Sequence, residues 1–418
     1  MVRLALLFAA FALAPHAVLS PSALAQGALE FMAIPPASTL TAVGDAGVGL
    51  PSAEPQAFIY NPAQLTAADE SHVTLGVVAP TNWLPALSAD LAFSSFAIAA
   101  NLAPEKTGLP VRLGVGLARG KFDLGPQEYR GEANEFLGSF DAFESYWALG
   151  VGAGFDLPIP IHLGFNLRRF TSRLTIDEDL NLLDAHALTL DLGVLAQVPV
   201  AQLAKWRSFD NTTGIVFDLA AGYSITGLGS TIRYEALGQT SEAYIHRRVR
   251  LGWSTLLGYD LDPGGGVLRV VAFTAAFQAE RALLRDEEAG TYASPIVSPL
   301  GALLGSGEPT TFDPESSDLF PGNVAEWGHT GRRGGRLTVL EAVSYSRGQF
   351  DGDSFVCRDD CTTSGLTVSV GGLLRAYGSL YGRADLYRLG THYDVTFIRT
   401  EHPFSEAFYG VTLRTALR

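Results

Sequence analysis

The chain has 418 residues with 43 acidic against 29 basic side chains, and its net charge of −14 excludes nucleic acid, whose phosphates need clustered Lys and Arg. Apolar residues make up 47% and charged residues only 17%, with 45 glycines, an unusual mixture for a soluble protein. Beyond the N-terminus no segment reaches about 18 uninterrupted apolar residues, which excludes membrane-spanning helices.

Residues 1–25 read as a secretory signal peptide. Arg3 supplies the positive end, Leu4 to Ala14 is apolar, and Ser22-Ala23-Leu24-Ala25 offers a small-residue cleavage site before Gln26. The apolar run is too short to span a bilayer as a helix, and an uncleaved anchor is the alternative. Gln26 stands where a lipoprotein needs Cys. The leader addresses the chain to an exported compartment.

Residues 26–70 come next, and their centre is Thr39 to Leu65, reading TLTAVGDAGVGLPSAEPQAFIYNPAQL. Gly44, Gly47 and Gly49 permit turns that residues with a Cβ resist. Asn61-Pro62 sets a bend, because the residue before proline is pushed out of the helical region. Between them Ala57, Phe58, Ile59 and Tyr60 form a short apolar run that must bury against something. A Gly-rich segment, a spacer, an aromatic and Asn-Pro-Ala together resemble the N-terminus of two related outer-membrane barrel families. These are the FadL-type transporters of hydrophobic compounds and the PorV/PorQ proteins of type IX secretion. The resemblance implies that residues 26–70 are a hatch filling a barrel lumen.

From about residue 72 period-two alternation recurs to the end of the chain. Leu188, Leu190, Leu192, Val194, Ala196 and Val198 share one strand face, with Thr189, Asp191, Gly193 and Gln197 on the other. Phe217 to Ile225, Val249 to Tyr259 and Leu366 to Leu374 repeat the pattern. These strands exceed the usual length in a soluble sandwich, the alternative, and their polar face carries glycine and single charges. Apolar-out strands of about ten residues are what a bilayer demands. The alternation predicts strands near 72–80, 87–101, 111–120, 144–156, 161–173, 186–199, 213–225, 246–260, 267–281, 335–347, 364–376, 378–389, 391–400 and 404–417. The expected fold is therefore all-β: over 71–418, a transmembrane antiparallel barrel of about 14 strands around the hatch, in the outer membrane. Short connections, Leu157 to Pro160 and Asp262 to Gly266, fall at the periplasmic end, and long ones, 121–143, 174–185 and 282–334, outside. The turn 348–363 breaks that rule as a long connection on the periplasmic side.

Segment 282–334, with five prolines and the apolar run Leu300 to Leu304, reads as a long extracellular loop, either a surface loop or a lid. Cys357 and Cys361 lie in a Gly/Asp-rich turn, where an exported chain favours a small disulfide loop over free thiols. No metal site is expected there, since no His or further Cys lies near. Nor does any enzyme signature appear: there is no G-x-S-x-G and no H-E-x-x-H, and the histidines are dispersed. The acidic run Asp177-x-Asp179-x-Asn181 has Leu182 where a calcium loop needs glycine. The chain is not expected to be an enzyme or to carry a cofactor.

Thr226-Gly227-Leu228-Gly229, Arg248 to Trp253, Gly335 to Gly348 and Gly365 to Leu374 also resemble PorV/PorQ strands, with Gly227 in the place of that pattern's Asn. The chain departs from such barrels at Arg418, where they end in an aromatic residue read by the barrel-assembly machinery. Two functions follow from the resemblance. One is a channel for hydrophobic compounds in outer-membrane lipid, with Phe58 and Tyr60 offering apolar contact to a hydrophobic small molecule. Asn61 and Pro62, with Gly44 and Gly47, would hold the hatch. The other is a type IX component that binds and shuttles a secreted cargo protein. For each hatch residue, packing alone is the plain alternative.

Overall fold

A computed structural model describes residues 30–68, 70–83, 91–130, 134–176, 182–206, 213–229, 231–236, 239–243, 245, 247–283, 330–351 and 360–417. The strands, in chain order, are β1 (His72–Asn82), β2 (Ala92–Leu102), β3 (Arg112–Arg130), β4 (Phe136–Phe155), β5 (Ile161–Ile176), β6 (Leu182–Pro199) and β7 (Gly214–Gly229). Then come β8 (Ile232–Ala236), β9 (Gln239–Ala243), β10 (Arg247–Leu261), β11 (Leu268–Leu283), β12 (Thr330–Val339), β13 (Val343–Asp351), β14 (Asp360–Ser369), β15 (Tyr393–His402) and β16 (Ser405–Ala416). Fourteen of them form a closed antiparallel barrel, each beside its neighbour in sequence, with β7 pairing β10 across the separate β8–β9 hairpin. β1 pairs β16 from His72↔Ala416 to Val78↔Gly410, so the ring leaves no edge to aggregate.

The alternation explains the closure. Leu188, Leu190, Trp253, Leu257, Tyr259, Phe273 and Phe277 point outward and are exposed, while Thr189, Asp191, Ser224 and Ser254 point inward and are buried. An apolar outside with a polar, glycine-bearing inside inverts a soluble core, because here the inside has its own occupant. Residues 31–67 lie along the inward rows, and nearly all of them are buried.

The expected count of fourteen is met by two errors that cancel. The stretch 335–347 is not one strand but β12 and β13, joined by the tight turn Leu340-Glu341-Ala342. Leu340 and Glu341 take φ of 53° and 55°. That left-handed backbone usually advertises itself as Gly or Asn, and neither is present. Conversely, 378–389 is not a strand and 364–376 is one only as far as Ser369. The chain there forms two helices, α1 (Val370–Leu380) and α2 (Ala384–His392). Ser369 caps α1, its Oγ accepting from the Gly372 amide at 2.7 Å. The missed turn also explains the anomaly at 348–363. That connection joins β13 to β14 at the end that carries the other long connections, so it no longer breaks the rule; the α1–α2 hairpin does, as a long connection at the short-turn end, and β15 returns to β16 by a tight turn at the opposite end.

The segment 121–143 is mostly strand rather than loop, since β3 and β4 stay paired as far as Arg130↔Phe136. One end of the barrel thus carries the β8–β9 hairpin, and the other carries the short turns, the α1–α2 hairpin and both ends of the strand ring. The expected signal peptide, the acidic run 177–179, most of loop 282–334 including Leu300 to Leu304, and Cys357 lie outside the described residues. Cys361 is buried in β14 opposite Phe350.

Candidate functional site

The inward rows and the segment they enclose form the site. Short helical turns run Ser38–Thr41, Pro55–Ile59 and Pro62–Thr66, each too short to stand without the wall around it. Their backbone groups are therefore satisfied by the barrel. Ser95 of β2 donates to Pro36 O at 2.8 Å, and Asn166 of β5 donates to Phe58 O at 2.8 Å. Ser224 of β7 donates to Tyr60 O at 2.9 Å, and Ser254 of β10 to Gly49 O at 2.8 Å. Gln278 of β11 accepts from the Val48 amide, Arg336 of β12 donates to Thr39 O at 2.7 Å, and Thr400 of β15 donates to Ser38 O. The partners come from all round the ring.

The residues expected to matter are all in this segment. Asn61 is the most connected: its Nδ2 donates to Val48 O and to Val194 O of β6, both at 2.9 Å, and its Oδ1 caps the following turn through the Ala63 amide. Beneath it lies Gly193, where a methyl group would overlap the Asn61 amide and the Pro62 ring. Gly44 has φ of 73° and presses on the backbones of β12 and β13, so both its conformation and its contact need glycine. Gly47 packs on the Tyr60 ring. Phe58 is 1% exposed and Tyr60 6%, the latter donating from its hydroxyl to Asp45 Oδ1 at 3.0 Å. In this conformation Phe58 and Tyr60 are both buried, each bordering only a small cavity.

The alternation pattern noted single charges on the polar face without linking them, and the structure joins them. Glu280 of β11 meets Arg250 at 2.9 Å and Arg248 and Arg332 at 3.4 Å. Arg332 reaches on to Asp45 Oδ2 at 3.3 Å, tying the segment to β12. Arg168 pairs with Asp191 inside the wall and donates to Ile59 O at 3.3 Å. Burial raises the Asp45 and Glu54 carboxyls from their ordinary values, although Arg332 and the Thr39 hydrogen bonds oppose it. A faint clue lay in the spacing: Arg248, Arg250 and Glu280 fall on the same inward parity as Gly252 and Gln278.

Toward the hairpin end the lumen turns apolar and aromatic. Phe31 stacks on Tyr146 with ring centroids 6.0 Å apart, and Phe170 meets both edge-on. Trp83, Phe404 and Phe408 group around His402, the Trp83 and His402 rings being 4.9 Å apart. Ile232 of β8 is fully buried in the same cluster as inward-facing Ala185 and Ala187 of β6, so the β8–β9 hairpin folds over this compartment. Two small cavities border the segment. One, of about 30 Å³, lies between Ile34, Tyr60 and the Arg248–Glu280 group; the other, of about 20 Å³, lies between Glu54, Leu65 and Asn101. Each has room for a water molecule and not for an organic ligand.

No family model matches the chain, and neither does any curated protein. Among solved structures it is similar to the Pseudomonas putida toluene transporter TodX, at 9% identity and a TM-score of 0.41, over 90% of this chain and 95% of that one. It is also similar to the β domain of the Bordetella autotransporter BrkA, at 9% identity and a TM-score of 0.37, over 84% and 100% of the two chains. A porin of Rh. blastica aligns at 9% identity and 0.28, over 83% and 99%.

Proposed function

We propose that the protein is an outer-membrane channel for hydrophobic compounds, exported by the leader at 1–25 and closed in this conformation by residues 30–67 acting as a hatch. The observation that carries this reading is the placement of two apolar surfaces. One faces outward around the barrel, as lipid requires. The other, the aromatic compartment of Phe31, Trp83, Tyr146, Phe170 and Phe408, lies inside, between the β8–β9 hairpin and the hatch. A water-filled pore has no use for buried aromatics in its lumen, whereas an apolar solute crossing a polar surface layer needs them. The hatch then separates that compartment from the short-turn end.

The test is uptake. Expressed in a Gram-negative strain without its own hydrophobic-compound channel, the protein should admit labelled oleate or toluene through an intact lipopolysaccharide layer. A Cβ built on Gly410 of β16 falls 3.2 Å from the Ser38 Cβ, close to the separation a disulfide spans. Oxidised Ser38→Cys/Gly410→Cys protein should therefore lose uptake, and a reductant should restore it. Uptake no greater than in the parent strain would sink the channel. Uptake untouched by the lock would sink the hatch.

A further inference from the structure

The helix α1 carries an apolar stripe that nothing among the described residues covers. Leu373, Tyr377 and Leu380 are 48%, 50% and 50% exposed, and Tyr381, just past the helix end, is 70% exposed. Spaced three to four residues apart, they share one face. The opposite face, Gly371, Gly372, Ala376, Gly378 and Ser379, is buried.

The helix is not a loose flap. Ser379 donates to Gly266 O in the β10–β11 turn at 2.7 Å, and Tyr387 of α2 donates to Val267 O at 2.7 Å. Arg375 pairs with Glu341 in the β12–β13 turn at 2.7 Å and donates to Gly390 O of α2 at 2.7 Å. The hairpin is thus fastened along the short-turn rim, from the end of β14 to the β10–β11 turn, with its apolar face left bare.

Two strand rows tell what covers it. Val370, the first residue of α1, is the next outward position after Leu366 and Val368 of β14. Tyr393, directly after α2, opens the outward row of β15 at 56% exposed. Val339 and Val343, outward residues flanking the turn beneath α1, are exposed as well. The stripe therefore continues the barrel's lipid-facing belt sideways along its rim.

We infer that α1 lies in the headgroup–acyl boundary of the bilayer leaflet at the short-turn end, with Leu373, Tyr377, Leu380 and Tyr381 facing the acyl chains. Interfacial helices present this pattern, and Tyr suits that depth because its ring is apolar and its hydroxyl wet. The hairpin's charges fit the same geometry. Arg383 and Asp385 pair with each other at 2.9 Å on the solvent side, and Arg375 is taken up by Glu341, so the stripe carries no charge. The inference rests on the reading of the barrel as membrane-embedded.

The test separates the two. Photoreactive p-benzoylphenylalanine is placed singly at Tyr377, Tyr381, Arg388 and Leu257 of the full chain, reconstituted in vesicles of phosphatidylethanolamine and phosphatidylglycerol. Leu257, outward on β10, reports the membrane belt, and Arg388 on α2 reports the wet side. Illumination should add the mass of a phospholipid at 257, 377 and 381, several-fold above position 388. Lipid adducts at 257 with none at 377 and 381 overturn the inference and leave the barrel reading standing. No adduct at 257 overturns both. A discrete protein adduct at 377 in whole outer membranes, replacing the lipid adduct, assigns the stripe to a protein partner and overturns the inference.

Discussion

At the scale of single residues, Asn61 and Asp45 tie the enclosed segment to the barrel wall, and they differ in how visible they were. Asn61 was legible, because Asn-Pro marks a bend and a short amide at a bend needs backbone partners. The wall carbonyl it finds, Val194 O, is 133 residues away and no local pattern could name it. Asn61→Ala removes both of its amide donations and the cap on Ala63, so it should weaken hatch docking by about 1–3 kcal/mol. Hydrogen exchange over 48–66 should rise at least tenfold while barrel strands stay protected; unchanged exchange would show that the amide holds nothing. Asp45 was not legible as a site residue, since its partners Arg332 and Tyr60 meet only in the folded ring. Its carboxyl and that of Glu54 have raised folded-state pKa values, so the folded protein binds their protons more tightly than the unfolded chain does. Their contribution is therefore fully favourable below the ordinary carboxylate range and is lost as pH rises through the raised folded values. Protection of residues 39–48, corrected for intrinsic exchange, should fall as pH rises from the ordinary carboxylate range through the raised folded values. Asp45→Asn with Glu54→Gln should flatten that slope, and a flat slope in the parent chain would refute the assignment.

At the scale of elements, alternation located the barrel strands well because a strand with apolar groups on its outer face and glycine or polar groups on the inner one has a strong period of two. It failed where two periods coincide. Val370, Gly372 and Leu374 continue the strand pattern of β14, while Val370, Leu373, Tyr377 and Leu380 satisfy a helix. Ser369, a capping residue, was the local sign that tips the balance. The β8–β9 hairpin was hidden for another reason: five-residue strands at a barrel mouth look like any polar loop. Its place over the aromatic compartment rests on Ile232, fully buried, and on Tyr234, whose hydroxyl donates to Ser172 Oγ at 3.2 Å. Ile232→Asp puts a carboxylate into that apolar cluster and should expel the hairpin. Exchange at 232–236 should rise by an order of magnitude or more, with the heat-modifiable migration of the barrel unaltered. If the barrel itself loosens, the hairpin belongs to the wall and not to a cover.

For the whole molecule, the lumen is two structures made to match: a wall paved with glycine where the segment runs close, and a segment whose orphan backbone groups the wall answers. At Gly222 of β7 even a methyl group would run into the Val48 carbonyl, so the fit is close at the backbone level. The barrel's fourteen-strand ladder, by contrast, closes without any help from the segment. Removing residues 30–67 should therefore leave a folded barrel and open it. The chemistry of what opens is set by the charges left behind. The segment takes Asp45 and Glu54 with it, and the wall keeps Arg168, Arg248, Arg250, Arg332 and Arg336 against Asp191 and Glu280. Arginine stays charged at any working pH, so this girdle attracts anions even though the chain as a whole is acidic. In a planar bilayer the deleted chain should conduct where the intact chain does not, and a potassium chloride gradient should give a reversal potential of the sign set by chloride. Arg332→Gln with Arg336→Gln in that background should erase most of the preference. A deleted chain that stays silent would mean that something other than the segment closes the lumen, and a cation-selective one would mean that the arginines do not face the open path.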